Sequence, residues 1–447
     1  MDVAFGTSGI RGVVNEAITA ELALKIGRAI VKKKGSKILV ARDTRESGVM
    51  LEKALASGVI SSGGSVIRAG IMPTPTTAIA TKERANNGVM ITASHNPPEY
   101  NGFKFFDENG KEISSEEEKE MERKIKSEKF ISSNWDEIGE IYKIKDAIER
   151  HMEIATGLVD CRPIARKKPK VIVDCGNGTA SLIAPYVMRD LGCKIVGVNC
   201  EPTGIFSRSL EPNAETLSDF SSLVKAMNGD IGIAYDGDGD RAIILDENGE
   251  LLGLDQQLSL MCKSILEEKR KATIVSTIEA SLAVRETIEK KGGKLLITRV
   301  GSRNVAEVIK YKNAVFGGEP CGEYIFPEEV LAADGILASL KFIELFCKKG
   351  KLSRLKKEIK SYPIERAKFK CANKYESMEK IKEAIKISFK GEINEEDGIR
   401  VDFDDGWLLV RASGTEPAIR LTAEHKNRVK LKAIYDKAAK IIEECIA

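Results

Sequence analysis

Three successive stretches of the chain alternate short apolar runs with amphipathic helix patterns, and this alternation limits the fold more than any other feature. The runs have the length of buried strands and include KILVA, GVMIT, PKVIVDC, IGIAY and ATIVS. Strands that alternate with helices in this way pair into parallel or mixed sheets covered by helices. We therefore predict an α/β protein with three such units, followed after Pro363 by a fourth unit of different composition.

The chain length agrees with this count of units. The chain has 447 residues, and domains usually span roughly 100 to 200 residues. Changes in composition place the predicted domains at residues 1–150, 151–253, 254–365 and 366–447. Hydrophobic residues make up 42% and charged residues 31% of the chain, which is typical of a globular protein with sizeable cores.

The charge and hydropathy of the chain argue against a nucleic acid or a membrane as its partner. The formal net charge is +3 and the basic residues are spread along the chain, whereas nucleic-acid proteins usually carry a clustered basic bias. No apolar run approaches the roughly 18 residues of a membrane span, and the start MDVAFGTSGIRG lacks a hydrophobic signal region. We expect a cytoplasmic protein with neither a nucleic acid nor a membrane as partner.

Cysteine and histidine usage indicates which metals the chain could bind. The nine cysteines are scattered without a CxxC pair, so we expect reduced thiols. The three histidines stand apart from one another and from the cysteines, which argues against a zinc site. Any metal should therefore be a hard cation held by carboxylates.

The sequence DGDGDR provides the strongest candidate for such a site. Asp236, Asp238 and Asp240 alternate with glycines between two strand-like runs, so their carboxylates can converge on one cation while glycine permits a tight backbone path. The spacing also fits an EF-hand calcium loop with Glu247 at its twelfth position. Arg241 at the position that requires glycine, and flanks that resemble strands, oppose this alternative and favour magnesium.

Two further loops follow strand-like runs, where open α/β sheets usually bind ligands. The loop RASGTEP combines hydroxyls, an exposed backbone and guanidinium groups, which together predict a phosphate-binding cradle. Its candidate residues are Arg411, Ser413, Gly414, Thr415 and, beyond the loop, Arg420. The loop GGEPCGE, with Glu319, Cys321 and Glu323, is either a surface turn or a site for sugar hydroxyls.

The loop TASHNPP follows the strand GVMI, and we expect its Ser94 to stand exposed on a stiff turn. GxSxG is absent, which argues against a hydrolase triad. Lys104, close behind this loop, is either a surface cation or a buried base with a pKa lowered by neighbouring cations. The N-terminal loop GTSGIRG adds Arg11.

Five motifs in this order, GTSGIRG, TASHNPPEYNGFK, DGDGDR, GGEPCGE and RASGTEP, resemble those of the alpha-D-phosphohexomutase superfamily across residues 5 to 420. The resemblance implies a heart-shaped architecture with three α/β domains of mixed sheets, a C-terminal α+β domain and a central cleft. The stretch around the GGEPCGE loop is most similar to archaeal-type phosphoglucosamine mutases.

The same resemblance implies roles for individual residues. Ser94 would carry the phosphoryl group and, with the three aspartates, ligate Mg²⁺; Glu319 would contact sugar hydroxyls, with Cys321 beside it. The RASGTEP residues and Arg420 would hold the non-reacting phosphate. The transfer site would be lined by four further residues: Arg11, His95, Lys104 and Arg241.

The implied activity interconverts hexose 6-phosphate and hexose 1-phosphate through phosphoserine, with a hexose 1,6-bisphosphate as intermediate and activator. We expect a monomer or homodimer acting on phosphosugars. The resemblance of the GGEPCGE stretch favours glucosamine phosphate as the substrate, and Glu323 could attract an ammonium group. Alternatives are a phosphomannomutase/phosphoglucomutase, a bisphosphate synthase or phosphatase, and a non-catalytic metal-binding paralogue.

Overall fold

A computed structural model describes residues 5–6, 8–414 and 417–446. The chain folds into two compact units, the first formed by Met1–Gln257 with Cys321–Lys357 and the second by Leu258–Pro320 with Glu358–Ala447. Among the described residues, none of the helices combines the length and the apolar character that crossing a membrane requires.

The first α/β region alternates strands and helices as predicted. Its elements are β1 (Ile10–Val13), α1 (Ala20–Ile30), β2 (Lys37–Arg42), α2 (Gly48–Ser61), β3 (Ser65–Ile71), α3 (Thr74–Arg84), β4 (Asn87–Ile91), β5 (Tyr100–Phe106), α4 (Ser115–Ser127), β6 (Ile141–Lys143) and α5 (Ala147–Gly157). The sheet has the order β1-β5-β4-β2-β3-β6 and is mixed, because β5 is antiparallel to both β1 and β4. Its core packs apolar residues of α1 and α2 against β2 and β4.

The second α/β region carries the aspartate motif. It contains α6 (Cys161–Lys167), β7 (Lys170–Asp174), α7 (Ala184–Asp190), β8 (Lys194–Val198), α8 (Ser218–Ala226), β9 (Ile231–Tyr235) and β10 (Ala242–Leu245). The sheet order is β10-β9-β7-β8, with β10 antiparallel to β9. Strand β9 is buried throughout, as its uninterrupted apolar run predicts.

The third region contributes to both units. Its elements are α9 (Leu254–Glu268), β11 (Thr273–Thr277), α10 (Leu282–Lys290), β12 (Lys294–Thr298), α11 (Ser302–Lys312), β13 (Phe316–Gly318), β14 (Tyr324–Ile325), α12 (Gly335–Lys349) and α13 (Leu352–Lys357). Within the second unit, β12, β11 and β13 pair in parallel in that order. Their carboxyl ends therefore share one edge of the sheet.

The C-terminal region is an antiparallel sheet packed against two helices. It contains β15 (Ile364–Lys370), α14 (Lys374–Ser388), β16 (Glu392–Asn394), β17 (Ile399–Phe403), β18 (Gly406–Ala412), β19 (Ala418–His425) and α15 (Arg428–Ile446), with the strand order β15-β19-β18-β17-β16. The change of composition after Pro363 thus coincides with a change from parallel to antiparallel pairing.

Candidate active site

The serine loop leaves the carboxyl end of β4 and turns Ser94 inward. Ser94 is only 1% exposed, and its Oγ donates a hydrogen bond of 2.7 Å to Asp236 Oδ2. The expectation of an exposed serine was therefore wrong, because the hydroxyl faces the aspartate motif instead of solvent. The backbone of Ser94 has a φ of 49°, a left-handed conformation that non-glycine residues adopt at a cost and that neighbouring contacts must hold.

Arg45 supplies those contacts and was missed from the sequence. Its side chain is 1% exposed, and its Nη1 and Nη2 donate to the carbonyls of residues 94, 96, 97 and 100 at 2.6 to 2.9 Å. Its Nε donates to Asp43 Oδ2 at 3.0 Å, so all five guanidinium donors are used. Asp43 also accepts a hydrogen bond from Thr92 at the base of the loop. The only sequence signal was the Asp-Thr-Arg that follows β2.

The aspartate motif forms a tight turn between β9 and β10. Ligand oxygens of Asp236, Asp238 and Asp240 lie within 4.8 Å of one another, and all three residues are buried. Gly239 has a φ of 74° and donates its N–H to Asp236 Oδ1 at 3.0 Å, which is a backbone path that favours glycine. Thr74 Oγ1, at the start of α3, donates to Asp238 Oδ2 at 2.6 Å.

These carboxylates fit a hard divalent cation. Asp238 Oδ1 and Asp240 Oδ1 are buried and have no hydrogen-bond partner within the part of the chain that the structure describes. Burial and repulsion from Asp238 and Glu323 raise the pKa of Asp240 to about 6, although Lys104 and Arg241 oppose this shift. An EF-hand is contradicted, because strands flank the motif and Glu247 instead accepts hydrogen bonds from Ser353.

Lys104 on β5 is the ion-pair partner of the motif. Its Nζ lies 2.8 Å from Asp238 Oδ2 and 2.5 Å from Asp240 Oδ2. Burial disfavours the ammonium, but the two carboxylates outweigh burial and raise the pKa of Lys104 above its ordinary value. The hypothesis of a lowered pKa was therefore wrong for this arrangement, since the close neighbours of Lys104 are anions.

Two further predicted residues, His95 and Arg11, lie in or against the serine loop. His95 Nδ1 lies 3.3 Å from Ser94 Oγ, and burial together with Arg241 and Arg11 lowers the pKa of His95 to about 2, so the imidazole is neutral. Arg11 Nη1 donates to Asn96, whereas its buried Nε has no partner among the described residues. The structure thus gathers cationic groups around a hydroxyl and a carboxylate cluster.

Arg241 ends the aspartate motif, and its side chain contacts Glu323 of the GGEPCGE loop. Its Nε donates to Glu323 Oε1 at 2.8 Å, and its Nη1 lies 3.7 Å from Glu211. Glu211 also lies 3.3 Å from His95 Nε2. The carboxylate of Glu323 therefore already pairs with a cation, which weakens the idea that it attracts a substrate ammonium. Cys321, two residues earlier, is half-buried.

The second unit gathers polar groups at the carboxyl ends of its parallel strands. Glu319 follows β13, is 5% exposed and accepts a hydrogen bond of 3.0 Å from the backbone N–H of Gly301, in the turn after β12. Glu279 follows β11 and accepts from Arg411 Nε at 3.0 Å. Asp397 joins the two groups, because it accepts from Val300 N at 3.2 Å and from Arg411 Nη1 at 3.4 Å.

Glu319, the predicted sugar contact, and Arg411, the predicted phosphate contact, therefore lie at the same edge of the parallel strands. Glu279, Asp397 and the turn at Val300–Gly301 were not singled out from the sequence. The glycine of that turn, with a φ of 119°, was the available signal.

The predicted phosphate cradle joins β18 to β19. Ser413 is 1% exposed and its Oγ has no hydrogen-bond partner among the described residues, while its carbonyl accepts from Lys374 Nζ at 2.5 Å. Gly414 is exposed. Arg420 lies on β19 directly opposite Arg411 in the strand register. Thr415 lies outside the described residues.

Comparison with known proteins places these features in a family. Four models of the phosphoglucomutase/phosphomannomutase family match the chain in order: alpha/beta/alpha domains I, II and III at residues 2–132, 149–249 and 254–362, and the C-terminal domain at residues 367–441. The chain belongs to the phosphoglucomutase/phosphomannomutase family. This membership confirms the resemblance read from the motifs and the predicted four-domain α/β architecture.

Relatives that match this chain over nearly its whole length are named as phosphosugar mutases. A probable phosphoglucosamine mutase of Pyrococcus abyssi is 42% identical over 99% of this chain and 98% of its own length. A phosphoglucomutase/phosphomannomutase of Thermococcus kodakarensis is 42% identical over the whole of both chains. A crystal structure of a family protein from Burkholderia thailandensis superposes with a TM-score of 0.88 at 27% identity, covering 99% of this chain and 97% of that one. The prediction of a phosphohexomutase is confirmed.

Proposed function

We propose that this protein interconverts hexose 6-phosphate and hexose 1-phosphate through a phosphoryl group carried on Ser94, with glucosamine phosphate as the preferred substrate. The observation that carries the proposal is the placement of Ser94 Oγ 2.7 Å from Asp236, at the edge of a buried three-carboxylate cluster. A hydroxyl in that position can ligate the same cation as the carboxylates and can hold a phosphoryl group beside it.

The donor set supports Mg²⁺ as the cofactor. Ser94, Asp236, Asp238 and Asp240 would hold it, since they offer hard oxygen ligands, two of them without a hydrogen-bond partner among the described residues. When bound, the ion would neutralise charge on the transferring phosphoryl group.

The nearby arginines would neutralise the remaining negative charge of the phosphate groups. A phosphoserine carries about −1.5 to −2 charges at neutral pH and a sugar phosphate brings a similar load, so the two repel each other without compensation. Arg11, whose Nε has no hydrogen-bond partner among the described residues, and Arg241, which also pairs with Glu323, would provide that compensation. Because phosphoryl transfer depends mainly on positioning and charge stabilisation, these groups match its main requirement.

We infer that Lys104 and His95 handle the proton of the accepting sugar hydroxyl. His95 is neutral at physiological pH because its pKa is about 2, so its ring nitrogen next to Ser94 can accept a hydrogen bond from a hydroxyl. Lys104 keeps its proton while it faces the aspartates, so in this arrangement it acts as a charge partner. That Lys104 accepts the proton of the sugar hydroxyl stays a prediction.

The second unit would supply the subsites for the rest of the substrate. We infer that the non-reacting phosphate is bound by Arg411 and Ser413, with Gly414, Thr415 and Arg420. A buried guanidinium suits a phosphate oxygen, and so does a buried hydroxyl that has no hydrogen-bond partner among the described residues. Glu319, held by Gly301, would accept hydrogen bonds from sugar hydroxyls. A cradle of this kind accepts either phosphate of a hexose 1,6-bisphosphate, which would serve as intermediate and activator.

The preference for glucosamine rests on the GGEPCGE loop and on relatives named probable phosphoglucosamine mutase at 42% identity. A relative of equal identity is named phosphoglucomutase/phosphomannomutase, which makes mannose and glucose phosphates the necessary competitors in any assay. We also propose a cytoplasmic location, which the scattered spacing of the nine cysteines, without a CxxC pair, favours.

Phosphorus NMR of the protein with Mg²⁺ and trace hexose bisphosphate tests this proposal. Glucosamine 6-phosphate, mannose 1-phosphate and glucose 1-phosphate would be offered separately. Conversion of glucosamine 6-phosphate to its 1-phosphate at least tenfold faster than the others supports the proposal. Faster turnover of mannose or glucose phosphate would overturn the substrate preference alone, and release of inorganic phosphate without isomerisation would overturn the mutase.

A further inference from the structure

Cys175 and Cys200 meet at the ends of two neighbouring parallel strands in the first unit. Cys175 directly follows β7 and Cys200 lies two residues beyond β8, and the register pairs Asp174 with Val198. The Cys175 N–H donates to Val198 O at 3.2 Å, which brings the two backbones together at this point. The two sulfurs lie 3.4 Å apart.

At this distance the two sulfurs are in direct non-bonded contact. A disulfide bond measures about 2.05 Å, so closing the pair requires the two sulfurs to approach by roughly 1.4 Å. Closing the pair therefore requires rotation of the two side chains or movement of the loops that carry them. Disulfide geometry is strict, and most scattered cysteines cannot meet it without larger backbone movement.

The two thiols differ in access and acidity, as the two partners of a reversible disulfide usually do. Cys200 is half-buried, and its Sγ also donates to Val198 O at 3.2 Å. The hydrogen bond with Cys175 lowers the pKa of Cys200, whereas burial raises the pKa of Cys175. Cys200 is therefore the thiol that an oxidant reaches first, and Cys175 is the thiol placed to resolve the product.

The loop that begins at Cys175 lies directly against the aspartate motif. Thr179 N donates to Gly237 O at 3.0 Å, and Gly237 stands between two of the carboxylates. A Cβ added at Gly178 would lie 2.5 Å from Gly237 O, so the two backbones touch with no room for a side chain between them. A shift of Cys175 is thus transmitted by backbone contact to the loop that presents the aspartates.

We propose that Cys175 and Cys200 form a reversible intramolecular disulfide with peroxide, and that this disulfide displaces the aspartate motif. In the first step Cys200 loses its proton, the thiolate attacks one peroxide oxygen as the O–O bond breaks, and the departing hydroxide takes up a proton, which gives a sulfenic acid and one water. In the second step the Cys175 sulfur attacks the Cys200 sulfur, which forms the S–S bond and releases the second water. The two thiols are oxidised, hydrogen peroxide is reduced, and a thiol reductant reverses the change.

The modification itself is independent of the proposed function, although an effect on turnover rests on it. The test therefore uses two readouts that need no substrate. Purified protein is treated with hydrogen peroxide, its remaining thiols are alkylated, and its intact mass and peptide map are recorded. Hydrogen exchange of the segment 231–245 is then compared between the reduced and oxidised forms.

We expect the oxidised wild type to carry two fewer alkylated cysteines out of nine, with residues 175 and 200 in one linked peptide and full reversal by dithiothreitol. Exchange in residues 231–245 should change at least about fivefold, the lower end of the usual range for coupled sites. The matched variants are Cys200→Ser, which should show neither change, and Cys262→Ser, a buried thiol elsewhere, which should behave as wild type.

Two results would overturn the proposal. The first is a wild type in which peroxide oxidises cysteines but the linked peptide is absent. The second is a linked peptide accompanied by unchanged exchange in residues 231–245, which would remove the coupling to the motif. If mutase activity is absent while both readouts respond as expected, the proposed function fails and this inference stands.

Discussion

Replacement of Arg45 by lysine should loosen the serine loop while leaving the charge in place. Arg45 uses all five of its N–H donors, four on carbonyls of the loop and one on Asp43. A lysine ammonium has three donors, so at least two of the five acceptors lose their partner in Arg45→Lys. The loop would then lose the contacts that hold Ser94 in its left-handed conformation.

The magnitude follows from the number of lost bonds. A hydrogen bond that involves a charged group contributes about 1.5 to 3 kcal/mol, so two lost bonds correspond to about 3 to 6 kcal/mol. Domains are stable by only about 5 to 15 kcal/mol, so the loss is a large fraction of the total. Because each 1.4 kcal/mol changes an equilibrium tenfold, opening of the loop should become at least about 100-fold more frequent.

Native-state hydrogen exchange of residues 92–103 measures this opening directly. We expect amide protection there to fall at least about 100-fold in Arg45→Lys, and turnover to fall by a similar factor because small misplacements of reacting groups carry penalties of that order. The matched control is Arg150→Lys, whose side chain is 45% exposed and pairs with Glu83 at the surface. Protection in Arg45→Lys within twofold of the control would refute the reasoning.

Three further predictions concern the metal, the pH dependence and the phosphate cradle. Asp238→Asn should raise the Mg²⁺ concentration for half-maximal activity at least about tenfold, because a carboxylate ligand is lost, whereas the exposed Asp146→Asn should leave the titration unchanged. Burial alone would lower the pKa of His151, but the carboxylates of Asp334 and Glu329 outweigh burial and raise this pKa from 6.5 to about 10. The ion pairs of His151 therefore stabilise the fold fully below pH 6.5 and lose their contribution as the pH rises through about 10. The urea midpoint of unfolding should fall over that pH range in the wild type, and it should fall less in His151→Asn. Arg411→Gln should raise the KM for sugar phosphates at least about tenfold in steady-state assays, since a charge-assisted phosphate contact is lost, and an unchanged KM would remove Arg411 from the cradle.

Local patterns predicted the elements well. The apolar periodicity behind Thr19 predicts a helix with Thr19 as its N-cap, and in the structure the Thr19 side chain accepts from Leu22 N at the start of α1. The charged stretch Lys111 to Lys129 predicts a solvated helix, which forms as α4 (Ser115–Ser127). The apolar stretch Asp334 to Cys347 predicts another helix, which forms as α12 with Asp334 as its N-cap. These outcomes depend on neighbours within a few residues, which a single sequence displays.

The carboxylate cluster was predictable for the same reason. Alternate aspartates separated by glycines fix the convergence of their side chains locally, and the structure shows that convergence. The exclusion of an EF-hand required only the strand character of the flanks, which the sequence also indicated.

Features that depend on distant pairings could not be predicted. Lys104 is charged because it faces Asp238 and Asp240, which lie 134 and 136 positions further along the chain. The prediction of a lowered pKa was wrong because the sequence does not reveal which charges face a buried lysine. Arg45 looked like any surface arginine until the loop carbonyls surrounded it. The meeting of Cys175 with Cys200 follows from the pairing of β7 with β8, which cysteine spacing does not encode.

The central claim is that Ser94 carries the phosphoryl group, and a chase experiment tests it most directly. The protein is incubated with hexose 1,6-bisphosphate and Mg²⁺, freed of ligand, and analysed by intact mass and peptide mapping before and after addition of glucosamine 6-phosphate. The account predicts one phosphoryl group on Ser94 that leaves during the chase while a sugar bisphosphate forms, and no such cycle in Ser94→Ala. Phosphoryl label on another residue, or mutase turnover by Ser94→Ala at the wild-type rate, would contradict it.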